Sequence, residues 1–393
     1  MDTADLPLKL VAPLTLGESL TVAPGVRAEL EEVSSELGLQ LRFRLPTASA
    51  IVEIEPRSER PTAARGEHFQ FAYRTGDKDR PLDAALGRAL CLAVAKAARP
   101  NEVRVKAQLT EAAARARAAD PSARIREVEV EQLLQSWGSL GERYYTLSPY
   151  VGCLIGCRFC YAQSRLSVLR ELQGLPEAPW GSWVDARVNA PEVLERELAA
   201  SKHWPVKFCP IVSDPYHAIE RKLRLTRRCL EVLRDHGAGR SVIVLTRSAM
   251  IAEDAALLAE LPSAFAGMSL PTADDDVRRA FEPRGASIPE RLSALRALRE
   301  RGVDTFAIVQ PLLPGSIDAL AEALASAVRS VRIDVLRGVE GATQEFSDPR
   351  FEAAASDAWQ AARAAELAER LTALGVELWE RELPPGVRYA QGS

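Results

Sequence analysis

Hydrophobic and polar positions follow two different patterns along the chain, and the first pattern extends to about residue 105. Residues 39–45 alternate apolar and polar side chains, and residues 51–55 do so from Val52 onward, which is typical of half-buried strands. Residues 8–12 have the same character, so a strand is predicted there too. Residues 82–98 carry a leucine at every fourth position at their start, which predicts a helix. Residues 1–105 are therefore predicted to form an N-terminal α+β domain.

The second pattern begins near residue 141, where short apolar runs alternate with amphipathic helices. The intervening residues 106–140 begin with an Ala- and Arg-rich stretch, and we interpret them as a helical connector. Strands separated by helices in this way form parallel sheets built from βα units. After a first strand at Tyr145, the apolar runs lie at residues 206–212, 241–246, 265–270, 305–310 and 331–336.

These six strands are fewer than the eight of a complete βα barrel. The fold class predicted for residues 141–338 is therefore α/β, an incomplete (β/α)6-type barrel. Residues 339–393 are predicted to add a long Ala-rich helix and a short strand.

Composition and net charge exclude few classes of function. Of the 393 residues, 47% are hydrophobic and 26% are charged, as in ordinary globular proteins. The 50 basic and 54 acidic side chains leave a net charge of −4, so nucleic acid is not favoured as a partner. The sequence contains neither an apolar run of membrane-spanning length nor the pattern of a signal peptide, which predicts a cytoplasmic protein without a membrane partner.

Three of the six cysteines lie within eight positions, which indicates metal or redox chemistry in a reducing compartment. Cys153, Cys157 and Cys160 have the spacing C-x3-C-x2-C, and Gly152 and Gly156 give the backbone freedom to wrap around a compact group. Zinc usually requires four ligands, and a thioredoxin-type motif uses only two cysteines. Three thiolates match an iron–sulfur cluster with one open iron. A chance group of buried cysteines and a zinc site with distant ligands are the alternatives.

The cysteine motif, with an aromatic residue before its last cysteine and a strand before its first, resembles the radical SAM superfamily. The sequence of residues 148–162 is similar to that of the spore photoproduct lyase-like branch of the superfamily, and this similarity extends over about residues 144–320. Further matching segments are 188–194, 213–220, 225–227, 282–284 and 311–315.

The resemblance implies a [4Fe-4S] cluster on the three cysteines, with S-adenosylmethionine bound at the open iron. It also implies reductive cleavage of S-adenosylmethionine to a 5′-deoxyadenosyl radical, which abstracts hydrogen from a substrate. A flavodoxin or ferredoxin is the reductant that such enzymes use.

Side chains at the carboxyl ends of the parallel strands are the candidates for binding S-adenosylmethionine, because ligands bind at this edge. Ser213 and Asp214 are expected to meet the methionyl amino group, with a turn or helix cap as the alternative. Ser269 is expected to bind the ribose, or else to cap its strand. Arg284 is expected to clamp the methionine carboxylate, and a surface pair with Glu282 is its alternative.

Four further residues complete the set of candidates. Gln310 is expected to reach the ribose or adenine. Phe159 and Tyr161 flank the last ligand and are expected to stack near the adenine, although either also fits a hydrophobic core. Spore photoproduct lyases return a hydrogen atom from a cysteine at the position of Ile211. Cys209 lies two residues earlier on the same strand face and is either a hydrogen donor or a buried core cysteine.

The substrate class stays open between a peptide or protein and a nucleic-acid lesion. The N-terminal domain contains no catalytic motif, so it is expected to select the substrate. The alternative from another functional class is a non-catalytic iron–sulfur protein for sensing or electron transfer, which would require a fourth ligand and would not bind S-adenosylmethionine.

Overall fold

A computed structural model of the chain describes residues 6–34, 38–57, 61–76, 81–118, 124–138, 142–173, 175–208, 211–336 and 341–389. The chain forms two compact units. The first comprises Met1–Ala123 and Ala162–Ala178, and the second comprises Arg124–Tyr161 and Pro179–Ser393. Residues 162–178, which the sequence places with the predicted barrel, thus pack with the N-terminal unit.

The first unit is built on an antiparallel sheet with the strand order β1-β2-β3-β4-β6-β5. Leucine, valine, isoleucine and phenylalanine side chains of these strands form its core. The strands are β1 Ser19–Ala23, β2 Val26–Ser34, β3 Leu39–Arg44, β4 Ser49–Pro56, β5 Ala64–Arg65 and β6 Phe69–Thr75. The helices are α1 Leu6–Val11, α2 Ala84–Ala98, α3 Glu102–Ala118 and α4 Ala162–Leu172, with a 3₁₀ helix at Arg99–Asn101.

The prediction of a strand at residues 8–12 is wrong. The chain forms the helix α1 there and buries Leu6, Pro7, Leu10 and Val11. Leu6 and Leu10, like Pro7 and Val11, are four positions apart and therefore share a helical face. The run 8–12 alone does not include both members of either pair, so this helical spacing was not apparent. The helix predicted at 82–98 is confirmed as α2, which begins after Asp83, whose carboxylate accepts hydrogen bonds from the first turn.

The second unit contains the predicted series of parallel strands. They are β9 Tyr144–Leu147, β12 Val206–Phe208, β13 Val242–Thr246, β14 Ala264–Ser269, β15 Asp304–Val309 and β16 Ser330–Ile333, which lie side by side in this order. The short strand β17 Glu377–Leu378 pairs in parallel with β16, and β8 Gln135–Trp137 pairs antiparallel with β9. A small sheet combines β7 Ile125–Val128, β10 Tyr150–Val151 and β11 Val184–Arg187.

Helices connect the parallel strands. They are α5 Ala190–Ala200, α6 Glu220–Leu223, α7 Leu225–His236, α8 Ala255–Glu260, α9 Asp275–Phe281, α10 Ile288–Glu300 and α11 Ile317–Ala327, followed by α12 Thr343–Phe346 and α13 Asp357–Ala373. Two 3₁₀ helices lie at Ala249–Asp254 and Glu352–Ala355. The long Ala-rich helix predicted within residues 339–393 is thus divided, because Ser356 is extended and caps α13.

The two faces of the large sheet have different neighbours. Side chains such as Val244 and Met268 belong to a core that also contains leucines of α7, α10 and α11. The alternate positions, among them Leu245, Phe306 and Ile308, line the inner face. The α/β class with an incomplete barrel is therefore confirmed. Its carboxyl edge, where these strands end, carries the candidate site.

Candidate active site

The cysteine loop follows the short strand β10 and is shaped by two glycines. Gly152 has φ +80° and Gly156 has φ +65°, conformations that side chains rarely adopt. The amide of Gly152 donates to the carbonyl of Val212 at 3.0 Å, which connects the cysteine loop to the loop that follows β12. A Cβ on Gly152 would lie 2.5 Å from the Trp183 ring, so no larger residue fits.

The three thiols of this loop lie close enough to interact electrostatically. Cys153 and Cys157 are buried, with exposed fractions of 7% and 6%, while Cys160 is half-buried. Burial raises the pKa of Cys153 to about 12, and amide groups of Asp214 and Ile155 oppose this by hydrogen bonding to its sulfur. Burial also raises the pKa of Cys157, and the charge of a nearby arginine opposes it. The loop therefore holds two buried sulfurs and one half-buried sulfur next to groups that favour thiolates.

Among the described residues, no three His, Cys, Asp or Glu side chains are placed to hold a metal ion together. A [4Fe-4S] cluster has a different requirement, because each of its cysteine ligands would bind a separate iron atom. The buried thiols, the amide hydrogen bonds to sulfur and the glycine turns fit such a cluster.

Asp214 lies at the carboxyl edge, as the sequence predicts, and its carboxylate accepts hydrogen bonds from neighbouring residues. Its carboxylate accepts from Thr246 Oγ1 at 2.6 Å and from the amides of Tyr216 and Arg247 at 2.9 and 2.8 Å. Burial raises its pKa, while these hydrogen bonds lower it. The carboxylate joins the loop after β12 to the end of β13, and its amide lies at the sulfur of Cys153.

The other strand-end candidates are found on the same edge. Ser213 and Ser269 are buried, and Gln310 is exposed directly after β15. Phe159 is buried in an aromatic group, with its ring centroid 6.4 Å from that of Phe281. Tyr161 is 43% exposed. The structure therefore places Ser269 at the end of β14, Ser213 in the loop after β12, and Phe159 in a core.

Arg284 contacts the cysteine loop from outside. Its Nη2 donates to the carbonyl of Gly181 at 2.6 Å, and a Cβ on Gly156 would lie 2.5 Å from this nitrogen. Glu282, its alternative partner in the sequence analysis, forms its ion pairs with Arg247 and Arg291 instead. In this structure Arg284 therefore holds Gly156 and Gly181 together.

Sequence reasoning missed Arg247, the residue that follows β13. Its guanidinium lies over the Phe159 ring, with Cζ 5.6 Å from the ring centroid. Burial would lower its pKa, but the charges of Cys157, Glu282 and Cys160 raise it overall. A signal was available in the sequence, because Arg247 directly follows a predicted apolar strand and so lies at the edge where ligands bind.

The remaining cysteines differ in what can be said of them. Cys209 lies outside the described residues, so its hydrogen-donor role stays a prediction. Cys229 on α7 is fully buried in the core of the second unit, and Cys91 on α2 is fully buried in that of the first.

A cluster of buried polar side chains, Tyr150, Glu220 and His217, lies next to the start of the cysteine loop. Tyr150 donates its hydroxyl to Glu220, whose carboxylate also accepts from the amides of Thr226 and Arg227 at the start of α7. His217 packs edge-on against Tyr150 with ring centroids 4.6 Å apart. Burial lowers the pKa of His217 to about 3, so the ring is neutral at pH 7.

Comparison with protein families identifies the region that carries this site. Residues 147–327 match the sequence model of the radical SAM superfamily. This chain carries a radical SAM domain. Such a domain implies an iron–sulfur cluster and S-adenosylmethionine, and radical SAM enzymes generally need a reductant.

Individual relatives cover only part of the chain. An uncharacterised protein of Methanocaldococcus jannaschii is 28% identical over 175 residues, which are 44% of this chain and 62% of that protein. A radical SAM Nalpha-GlyT isomerase of Pseudomonas phage M6 is 27% identical over 170 residues, 43% of this chain and 33% of the isomerase. The chain thus spans between a third and about two thirds of the length of these relatives.

Among solved structures, a mutant spore photoproduct lyase with bound S-adenosylmethionine and dinucleoside spore photoproduct covers 60% of this chain. This match extends over 75% of the lyase, with 15% identity and a TM-score of 0.44. Streptococcus suis SuiB bound to S-adenosylmethionine matches 60% of this chain and 49% of its own, with 12% identity and a TM-score of 0.40. No helix among the described residues is both long and apolar enough to cross a membrane.

Proposed function

We propose that this chain is a radical SAM enzyme with a [4Fe-4S] cluster on Cys153, Cys157 and Cys160. The observation that carries the proposal is the site's composition. Three thiols, two of them buried, share one loop at the carboxyl edge of a parallel sheet, and the charge of Arg247 interacts with two of the three. When bound and reduced, such a cluster supplies one electron that cleaves S-adenosylmethionine to methionine and a 5′-deoxyadenosyl radical.

The protein's own groups prepare this site in three ways. Amides of Asp214 and Ile155 donate to the sulfur of Cys153 and favour its thiolate, the form that binds metal. Arg247 offers a cation for the methionine carboxylate, because arginine binds carboxylates through parallel N–H groups. Burial of Cys153 and Cys157 keeps water from the reactive centre.

Ser213, Asp214, Ser269 and Gln310 remain the proposed contacts for the amino group, ribose and adenine. Their position at the carboxyl ends of the strands or in the loops that follow supports this assignment. Arg284 remains a candidate for the carboxylate, but Arg247 is favoured because its charge interacts with two of the three thiols. We propose a flavodoxin or ferredoxin as the electron donor and the cytoplasm as the location.

Substitution of the cysteines tests the cluster directly. After anaerobic reconstitution, Cys157→Ala is expected to lose most of its iron and sulfide relative to the wild type. Cys229→Ala is the matched control, since Cys229 is an equally buried thiol on α7, and it should keep the full iron content. Equal iron content in both variants would contradict the assignment of the ligands.

We further propose that the N-terminal unit selects the substrate, a peptide or protein or a nucleic-acid lesion. Leu92 on α2 and Val103 on α3 are 59% and 62% exposed, which makes them candidates for substrate contact. Changing both to Asp should reduce substrate turnover while the formation of 5′-deoxyadenosine without substrate is unchanged. Leu374→Asp in the second unit is the control, because Leu374 is similarly exposed at 49%.

A further inference from the structure

One buried carboxylate links the ends of three parallel strands beside the cysteine loop. Glu282 is fully buried, and its Oε1 accepts from Nε of Arg247 at 2.6 Å. Its Oε2 accepts from Nη2 of Arg291 at 2.5 Å. Arg291 donates through Nη1 to the carbonyl of Ser269 at 2.7 Å, and Arg247 donates through Nη2 to the carbonyl of Gln310 at 3.2 Å. Glu282 thereby connects the ends of β13, β14 and β15.

The two arginines on this carboxylate are held in different ways. Arg291 is fully buried, and its Nε also donates to the carbonyl of Ala286 at 2.9 Å, so its three nitrogens all have acceptors. The side chain of Arg247 is 15% exposed, and its Nη1 has no acceptor within the described part of the chain. Arg291 is therefore the fixed anchor of the group, whereas Arg247, whose charge interacts with Cys157 and Cys160, keeps Nη1 as an open donor.

The charges and hydrogen bonds of Glu282, Arg247 and Arg291 suit Nη1 of Arg247 for binding an anionic ligand. Two guanidinium groups and one carboxylate leave one positive charge, and Arg247 is the member that interacts with Cys157 and Cys160. Because Glu282 accepts from Nε and the Gln310 carbonyl accepts from Nη2, the plane of the Arg247 guanidinium is fixed, and Nη1 is left without an acceptor among the described residues. A carboxylate ligand bound there would form charge-assisted hydrogen bonds, which are strong only in a fixed geometry.

We propose that Glu282 is a positioning residue for S-adenosylmethionine that acts through Arg247. Its carboxylate holds the guanidinium so that Nη1 meets the carboxylate of the methionyl group. This inference rests on the proposed function, and it predicts that the contribution of Glu282 to binding disappears when Arg247 is removed.

A double-mutant cycle tests this dependence through the dissociation constant of S-adenosylmethionine, measured by equilibrium dialysis on reconstituted, unreduced protein. Glu282→Gln and Arg247→Met should each weaken binding by about 10- to 100-fold, the range for a charge-assisted hydrogen bond. Glu282→Gln in the Arg247→Met background should change binding by less than about two-fold. Additive losses in the double variant would overturn the proposal.

Two controls separate positioning from a structural role. Glu290→Gln changes a carboxylate that caps α10 together with Ser287, and it should leave binding unchanged. The iron content of Glu282→Gln should equal that of the wild type, and its KM for S-adenosylmethionine should rise while kcat stays within a few-fold. Loss of cluster iron with unchanged binding per loaded protein would overturn the proposal.

Arg247→Lys provides the same test if Glu282→Gln does not fold. Lysine keeps the positive charge but has no Nε–H for Glu282 to hold, so binding should weaken by about ten-fold or more. Unchanged binding in Arg247→Lys would overturn the inference while leaving the proposed function intact. Failure of the cluster-loaded wild type to bind S-adenosylmethionine would instead overturn the proposed function.

Discussion

At the scale of single residues, Gly156 has little tolerance for change. It combines φ +65° with a site where a Cβ would lie 2.5 Å from Nη2 of Arg284 and 2.9 Å from Cα of Gly181. Gly302 has φ +82°, but a Cβ there would meet nothing within 4 Å. Gly302→Ala should therefore cost about 1 kcal/mol from backbone strain, and Gly156→Ala at least about 2 kcal/mol. Denaturant unfolding of both variants measures the difference, and equal losses would contradict the close packing of the loop.

His217 predicts how stability depends on pH. The ring is 1% exposed, and neither ring nitrogen has a hydrogen-bond partner among the described residues. Because its folded pKa of about 3 is below the unfolded value of 6.5, the unfolded state gains the proton first as pH falls. The free energy of unfolding should therefore drop by about 2 kcal/mol between pH 7 and pH 5 from this residue alone.

Two variants isolate this effect. His217→Leu should remove that part of the pH dependence, whereas His236→Leu, whose side chain is 50% exposed, should keep it. The measurement is urea unfolding at several pH values, and an unchanged slope in His217→Leu would refute the prediction.

Local sequence predicted the cysteine loop and several strand ends, because spacing and periodicity are local properties. It could not predict the partners of Glu282, since Arg247 and Arg291 reach it only after β13 and α10 have packed. The same reason explains Arg284, whose acceptor Gly181 lies 103 positions away.

At the scale of elements, the parallel strands were predictable because buried strands form short apolar runs between helices. The C-terminal segment 379–389 was not, because its proline and charged residues resemble those of a loop. In the structure Leu383 is 2% exposed and packs on the inner face of the sheet with Phe306. Lys207 Nζ donates to the carbonyl of Glu382 at 3.0 Å and holds this segment in place.

Leu383→Ala should therefore destabilise the second unit by about 3 kcal/mol, the usual cost of emptying a buried leucine site. Leu374→Ala is the matched control, since Leu374 is 49% exposed and should change stability by less than about 0.5 kcal/mol. Thermal unfolding of the two variants gives the comparison. A loss for Leu383→Ala no larger than that of the control would show that the segment does not seat on the sheet in solution.

At the scale of the whole molecule, the two structural units have different bounds from the domains expected from the sequence, which matters for truncation experiments. The expected bounds, 1–105, 106–140, 141–338 and 339–393, follow changes of pattern along the sequence. The structural units follow contacts, and α4 belongs to the first unit, where Arg165 pairs with Glu53 at 2.7 Å. Sequence patterns could not reveal this, because the contact joins positions 112 residues apart.

Removal of residues 1–105 should consequently expose α4. Val168 packs against the core of the first unit and would lose this cover. Limited proteolysis should cleave within residues 162–173 in the truncated chain and leave them intact in the full chain. Equal protection in both chains would contradict the assignment of α4 to the first unit.

The formation of 5′-deoxyadenosine tests the central claim most directly. The full chain is reconstituted anaerobically with iron and sulfide, reduced with dithionite and incubated with S-adenosylmethionine, and the products are separated by chromatography. The account predicts 5′-deoxyadenosine and methionine in equal amounts, formed only with reductant and absent when Cys153, Cys157 and Cys160 are changed to Ala. A fully loaded wild-type protein that forms no 5′-deoxyadenosine would contradict the account and favour a non-catalytic iron–sulfur protein.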